Sequence, residues 1–115
     1  MSTPIESYDA AIATYEADGG EAAISLLEKI LEETPDFALA HSSLAVLYSR
    51  EGNHDEAMRH AQEVCNIEPD DYLSYVSLSI IARKADLKSA AEEAMSISMQ
   101  KQWEARMKEQ EEAEG

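Results

Sequence analysis

The sequence predicts an all-α fold, a right-handed α-α superhelix of three helix-turn-helix repeats that ends in a long C-terminal helix. Its 115 residues include 4 glycines and 3 prolines, whereas the helix-forming residues alanine, leucine, glutamate, methionine and serine dominate. Pro35 and Pro69 lie 34 positions apart, and each closes a segment with the same order of small and apolar residues. A period of this length is typical of stacked helical hairpins.

Six helices are predicted, and local signals indicate where the first two begin. The predicted ranges are 4–17, 21–33, 37–50, 54–67, 71–84 and 88–112. Thr3-Pro4-Ile5-Glu6 has the pattern of a capping box with proline at the first helical position, and it begins the first helix. Gly19-Gly20 predicts the first turn, and Asp18 with Glu21 has the spacing of a second capping box.

The later helices carry comparable signals. Asp36 and the Asp70-Asp71 pair place carboxylates where the third and fifth helices begin, and carboxylates stabilise a helix N-terminus. Asn53 and Glu56 have the spacing of a capping box for the fourth helix. No proline or glycine interrupts the last segment before Gly115, so one long helix is predicted there.

The second repeat has the clearest pattern, because small or apolar residues fall at fixed offsets from Pro35. They are Leu44, Ala45, Tyr48, Gly52, Ala57, Ala61 and Val64, followed by Pro69. This order and period resemble the tetratricopeptide repeat, strongly over Ala38–Pro69 and more loosely over most of the chain. The same offsets hold Ala10, Ala11, Ala23, Leu27 and Ile30 in the first repeat, and Tyr75, Leu78, Ser79, Ala82, Ala91 and Met95 in the third.

The resemblance implies a stack of repeats at about 4–37, 38–71 and 72–103, with Trp103 in place of the closing proline of the third. We therefore expect residues 1–103 to form a single domain and residues 104–115 to be a charged extension of the last helix. Small residues are expected between helices, where they let the backbones approach closely. These residues are Ala10, Ala11, Ala45, Ala57, Ala61 and Ala91.

Charge and composition limit the partners that the chain can bind. With 24 acidic against 9 basic residues the net charge is −15, so neither nucleic acid nor a bare acidic membrane is an expected partner. No apolar run approaches the ~20 residues of a membrane span, and the N-terminus has neither the basic nor the apolar region of a secretory signal. Because Cys65 is the single cysteine, no internal disulfide is expected, and the predicted location is cytoplasmic.

The resemblance also implies a non-catalytic protein-protein interaction module, because the first helices of such repeats line a concave groove that takes a peptide or partner protein. The predicted groove residues are Ile5, Tyr8, Ile12, Leu39, Ser42, Ser43, Val46, Leu73, Val76 and Ile80. Their aliphatic side chains predict an apolar segment as the ligand, and the serines can hydrogen-bond to its backbone. The alternative is that these side chains pack only against one another.

Charged positions refine the expected ligand. Chaperone-binding members of the family grip a C-terminal carboxylate with lysine and asparagine at two offsets of each repeat. Those offsets hold Ile5, Asp9, Leu39, Ser43, Leu73 and Ser77 here, so a co-chaperone role is not expected. Arg50, Arg83 and Lys84 form a basic cluster near one end of the groove. They either receive an acidic group of the ligand or stabilise the C-termini of their own helices through the macrodipole.

The last helix offers a second surface. Met95, Met99, Trp103 and Met107 recur every four residues, and methionine and tryptophan are both common at association surfaces. The alternative function is therefore structural self-association, as a homodimer, through this face. Equally, the same helix can bend back and cap its own core.

We predict no catalytic residue, cofactor or metal site, and hence no enzyme. His54 and His60 are six positions apart, which does not place two ligands on one helical face. These two residues and His41 are expected to be solvated surface histidines, whereas Cys65 is expected to be a buried, small apolar residue. Adjacent glutamates such as Glu32-Glu33 point about 100° apart and are expected to form solvated faces rather than acid-base pairs.

Overall fold

A computed structural model of the chain describes residues 2–115, and these residues form six α-helices joined by short turns. The helices are α1 (Pro4–Asp18), α2 (Gly20–Glu33), α3 (Ala38–Arg50), α4 (His54–Ile67), α5 (Tyr72–Lys84) and α6 (Lys88–Glu114). The described part of the chain contains no strand. The predicted all-α class is confirmed, and the predicted helix boundaries differ from the observed ones by at most two residues.

The helices pack as three hairpins, α1 with α2, α3 with α4 and α5 with α6, and neighbouring hairpins meet through α2–α3 and α4–α5. One hydrophobic cluster joins the first two hairpins, and a second joins the last two. The first contains Ala11, Ala23, Leu27, Ile30, Ala40, Leu44 and Leu47. The second contains Ala45, Ala57, Ala61, Cys65, Leu78, Ile81 and Ala94. The buried state predicted for Cys65 is confirmed.

The 34-residue period is visible in the backbone of the turns. Asn53 N–H donates to the carbonyl of Tyr48 over 2.9 Å, and 34 positions later Leu87 N–H donates to the carbonyl of Ala82 over the same distance. The residue before each donor has a positive φ: Gly52 has 81° and Asp86 has 61°. Glycine takes this conformation without strain, whereas aspartate is one of the few other residues that tolerate it. The second and third hairpins therefore turn in the same way.

Helix capping follows the sequence signals at three helices. The Thr3 hydroxyl accepts from Glu6 N–H over 3.2 Å, Asn53 Oδ1 from Glu56 N–H over 3.4 Å, and Asp71 Oδ1 from Leu73 N–H over 3.0 Å. The predicted cap at Asp18 is wrong, because Asp18 is still part of α1. The N-cap of α2 is instead Gly19, which has a φ of 93°. Phe37 is the N-cap of α3 and makes no side-chain capping hydrogen bond, and Asp36, the carboxylate predicted near this N-terminus, directly precedes it.

Small residues between helices account for the close packing, with one exception. Ala11, Ala45, Ala57, Ala61 and Ala91 are all buried, as predicted. Ala10 is exposed, so its predicted burial is wrong. It corresponds to Leu44 and Leu78 in the later repeats, and these leucines pack against the hairpin that precedes them. No described helix precedes α1, so nothing covers Ala10 on that side.

The last helix, α6, is 27 residues long and has two halves with different surroundings. Its first half packs on α5 through the buried residues Ala91, Ala94 and Ser98. Most residues after Lys101 are exposed. The Lys101 ammonium lies 3.7 Å from the Asp70 carboxylate and so links α6 to the turn before α5. Neither α6 nor another helix within 2–115 is both long and apolar enough to span a membrane.

Candidate functional site

The face made by the odd-numbered helices α1, α3 and α5 carries a strip of exposed aliphatic side chains. Their exposed fractions lie between 39% and 56%. They are Ile5, Leu39, Val46, Leu73 and Ile80. The other aliphatic residues predicted in the groove, Ile12 and Val76, are half-buried. Packing within the described chain therefore leaves much of this predicted apolar strip in contact with solvent.

Two neighbouring depressions lie along the strip. The first, of about 170 Å³, lies where α3, α4 and α5 meet. Its lining residues are Ser42, Ala45, Val46, Ala61, Val64, Ser77, Ile80 and Ile81. The second, of about 300 Å³, lies between α1 and α3 and is lined by Ile12, Tyr15, Ser42, Ser43, Val46, Leu47 and Arg50. Ser42 and Val46 line both depressions, so the two adjoin along α3.

Two tyrosines of α1 fix its position beside α3. The Tyr8 hydroxyl lies 2.8 Å from Ser43 Oγ, and the Tyr8 ring packs edge-on against Phe37 with centroids 6.1 Å apart. About two helical turns further along α1, Arg50 Nη1 donates to the Tyr15 hydroxyl over 2.8 Å. Ser43 is thus engaged by Tyr8, whereas the exposed Ser42 hydroxyl remains available to a ligand.

The three cations predicted at the groove end are all exposed. Arg50 is the last residue of α3, and Arg83 and Lys84 are the last two residues of α5, so they lie at equivalent ends of two helices that carry the exposed strip. Within residues 2–115, Arg83 and Lys84 form no ion pair. Their placement fits both the capture of an acidic group and the macrodipole stabilisation of α3 and α5.

The face of α6 that contains the predicted four-residue stripe is only partly covered. Met99 is 64% exposed and Trp103 is 59% exposed, whereas Met95 and Met107 are half-buried. A step of four residues advances about 40° around a helix, so the stripe turns away from α5 as it proceeds. The residues that α6 buries are instead Ala91, Ala94 and Ser98, at steps of three and four. Met99 and Trp103 therefore do not cap the core of the described chain.

A family model of the tetratricopeptide repeat matches residues 6–79 of the sequence, which is more than half of the chain. The chain belongs to the tetratricopeptide repeat family. Proteins of this type are generally non-catalytic interaction modules, which supports protein binding as the general function.

Solved structures give the same fold. Two crystal structures of MamA superpose with TM-scores of 0.80 and 0.81, each at 21% sequence identity and over 91% of this chain. The chain corresponds to 61% and 57% of the length of those two proteins, so it spans less than two thirds of either. At this identity the likeness concerns the fold alone. No curated protein matches the sequence significantly.

One cluster in this tetratricopeptide repeat chain was not predicted from sequence. His41 and His60 are buried, with exposed fractions of 5% and 0%, so their predicted place on the solvated surface is wrong. Their Nδ1 atoms lie 2.9 Å apart, and His41 Nε2 lies 2.8 Å from the Pro35 carbonyl. The His60 ring also stacks on Tyr48, with centroids 5.7 Å apart and an interplanar angle of 8°. His54 is half-buried.

Charged groups from two hairpins surround this histidine pair. Glu28 Oε1 lies 3.3 Å from His60 Nε2, and Glu56 Oε2 lies 3.8 Å from it. Arg59 forms two hydrogen bonds to the Glu56 carboxylate, and the Tyr48 hydroxyl donates to Glu28 over 3.2 Å. The sequence does contain a signal, because Glu56 and His60 are one helical turn apart and Leu26 and Ala94 occupy the position of His60 in the other repeats.

These contacts displace several pKa values. Burial, followed by the nearby Arg59 guanidinium, lowers the pKa of His60 and favours its neutral form. The hydrogen bond from Arg59 lowers the pKa of the Glu56 carboxyl, and burial together with the negative Glu28 raises the pKa of Tyr48. Elsewhere, burial raises the pKa of the Cys65 thiol to about 11, so this cysteine is protonated and unreactive near neutral pH.

Proposed function

We propose that the chain is a non-catalytic adaptor or scaffold whose groove binds an apolar segment of a partner protein. The observation that supports it most is the strip Ile5, Leu39, Val46, Leu73 and Ile80, aligned on α1, α3 and α5 and more than a third exposed. Exposed aliphatic residues scattered singly need no explanation, whereas an aligned strip beside two depressions fits a binding surface.

The groove chemistry defines the ligand. Each Å² of apolar surface that a ligand removes from water contributes about 25 cal/mol to the free energy of binding. Ser42 and Ser77, which line the first depression, can hydrogen-bond to a peptide backbone. Because ordering costs offset most of this gain, an affinity near micromolar is expected. The net charge of −15 disfavours nucleic acid and acidic membranes as partners and fits a neutral or basic peptide.

The proposal also covers the cellular location of the protein and the boundary of its binding domain. We place the protein in the reducing cytoplasm, since its single cysteine, Cys65, is free and buried. We assign residues 1–103 to the binding domain and residues 104–115 to a charged extension, since most of α6 beyond Lys101 is exposed.

Replacing two groove residues by aspartate, Leu39→Asp with Val46→Asp, is expected to weaken peptide binding by more than about tenfold, because a carboxylate loses its hydration when the ligand covers it. Peptides are first selected from a library of random ten-residue segments on the immobilised protein. Their affinity for both proteins is then measured by fluorescence anisotropy, and helicity is checked by circular dichroism.

Leu87→Asp is the matched control. Leu87 is 45% exposed, lies outside the groove and is the N-cap of α6, where aspartate is well tolerated. Peptides that bind the wild type and the Leu87 variant but not the double variant support the groove. Peptides that bind all three proteins equally, or a library that yields none, contradict it.

The exposed Met99 and Trp103 favour a second candidate, self-association through α6. If this face forms a homodimer, Met99→Ala with Trp103→Ala is expected to shift the chain to monomer at concentrations where the wild type is dimeric. Light scattering coupled to size-exclusion chromatography measures the mass of both. Leu87→Ala, another exposed apolar residue at the beginning of α6, serves as control. A wild type that is monomeric throughout, or a dimer that survives the double substitution, excludes this interface.

A further inference from the structure

Three side chains from two repeats converge on one point away from the groove-lining helices. Glu28 comes from α2, and Glu56 and His60 come from successive turns of α4. One ligand atom from each lies within 4.8 Å of the other two. His60 is fully buried, whereas the two carboxylates are partly exposed. The cluster therefore combines a fixed imidazole with two carboxylates that solvent can reach.

The separations fit a tetrahedral metal ion. Ligands placed about 2.1 Å from such an ion lie about 3.4 Å from one another. His60 Nε2 lies 3.3 Å from Glu28 Oε1 and 3.8 Å from Glu56 Oε2. The first distance is slightly shorter and the second slightly longer than the separation expected between two ligands. One imidazole with two carboxylates is a set of donors that zinc accepts in proteins, and it leaves a fourth position for water.

When both rings are neutral, hydrogen bonding determines which nitrogen of His60 carries the lone pair that faces the carboxylates. The Pro35 carbonyl can only accept, so His41 Nε2, at 2.8 Å, carries a proton. A neutral His41 then offers its Nδ1 lone pair to His60 Nδ1–H over 2.9 Å. A neutral His60 is left with an unprotonated Nε2. Metal-binding histidines are commonly oriented in this way, through a hydrogen bond from the ring nitrogen that does not bind the metal.

A guanidinium group already shows that this position accepts a cation. Arg59 Nη2 lies 3.1 Å from His60 Nε2 and 2.8 Å from Glu56 Oε2. The Arg59 side chain is 53% exposed, so it can turn into solvent without unpacking the core. A divalent ion would balance both carboxylates, whereas the single charge of Arg59 balances one.

We propose that Glu28, Glu56 and His60 bind one divalent transition-metal ion of the zinc type, which displaces the guanidinium of Arg59. The ion links α2 of the first hairpin to α4 of the second and so clamps two repeats together. Tyr48, whose hydroxyl donates to Glu28, holds that carboxylate in place. The sequence alone predicts no metal site, so this proposal departs from that prediction.

The site is tested by isothermal titration with Zn²⁺ in a background of millimolar Mg²⁺, which screens diffuse attraction to an acidic protein. Wild type is expected to bind one ion. Glu28→Gln is expected to weaken binding at least about tenfold, and Arg59→Gln to strengthen it by about tenfold, because the competing cation is removed. Glu63→Gln, on α4 but outside the cluster, is the control for loss of one negative charge and is expected to match the wild type.

A second measurement identifies the ligand without any substitution at the buried His60. Histidine ring nitrogens of the ¹⁵N-labelled wild type are followed by NMR during the same Zn²⁺ titration, and the His60 Nε2 signal is expected to shift while those of His54 do not. The proposal is overturned if Glu28→Gln and Glu63→Gln weaken binding equally, if Arg59→Gln weakens it, if His54 shifts instead, or if no Zn²⁺ binds.

Discussion

Leu44→Ala is expected to lower the free energy of unfolding by about 2–5 kcal/mol, the range found when a fully buried leucine is truncated. Leu44 has no exposed surface and belongs to the cluster that joins the first two hairpins, together with Leu27 and Ala11. Removing its branched end leaves a cavity in the cluster through which these two hairpins pack. The loss is a large share of the stability expected of a chain of this size.

The measurement is urea denaturation followed by circular dichroism at 222 nm. Leu39→Ala is the matched control, because it removes the same atoms from the same helix at a residue that is 46% exposed. It is expected to change the unfolding free energy by less than about 1 kcal/mol. Similar losses for both variants would mean that the buried cluster does not carry the stability of the stack. A changed denaturant slope would point to a second transition between the hairpins.

Local and periodic signals predicted the helices well because helix formation depends on neighbours in sequence. The spacing of Pro35 and Pro69, the caps at Thr3 and Asn53, and the uninterrupted segment before Gly115 fix the six helices to within two residues. Asp18 shows the limit of such signals, since Gly19 takes a positive φ and lets α1 continue one residue further.

Burial that depends on contacts between repeats was harder to predict. Ala10 has the repeat pattern of a core residue, but no described hairpin lies before it. His60 has the polarity of a surface residue, but it lies where α2, α3 and α4 meet, and a second histidine supplies its hydrogen bond. A polar pair can be buried only when both members are present, so neither residue alone indicates burial. Reading the aligned positions Leu26, His60 and Ala94 together would have predicted it.

The residues proposed for the groove are a contrasting case, because they were predicted from the repeat register and not from burial. The predicted strip does lie exposed on the odd-numbered helices, since those positions point away from the paired helix of each hairpin. The engagement of Ser43 by Tyr8 could not be foreseen, because it joins residues 35 positions apart through side-chain geometry. Register thus predicts which residues share the face, whereas contacts within the face require the structure.

Substitutions in the buried pair His41 and His60 are expected to have the second large effect on the free energy of unfolding. His41→Leu and His60→Leu are each expected to lower the free energy of unfolding by about 1–3 kcal/mol at pH 7.5, because each leaves a buried ring nitrogen of the other histidine without its partner. The double variant replaces both polar groups by apolar ones of similar size. Its loss is expected to be smaller than the sum of the single losses by about 0.5–3 kcal/mol.

Urea denaturation of the four proteins in the presence of a chelator isolates the hydrogen bond from any contribution of a bound metal ion. His54→Leu is the control, since the described chain offers no hydrogen-bond partner to its buried Nδ1, and it is expected to change stability by less than about 0.5 kcal/mol. Additive losses would show that His41 and His60 are buried independently. A coupling energy measured in the chelator would show that His41 and His60 together stabilise the junction of α2, α3 and α4 without any bound metal ion.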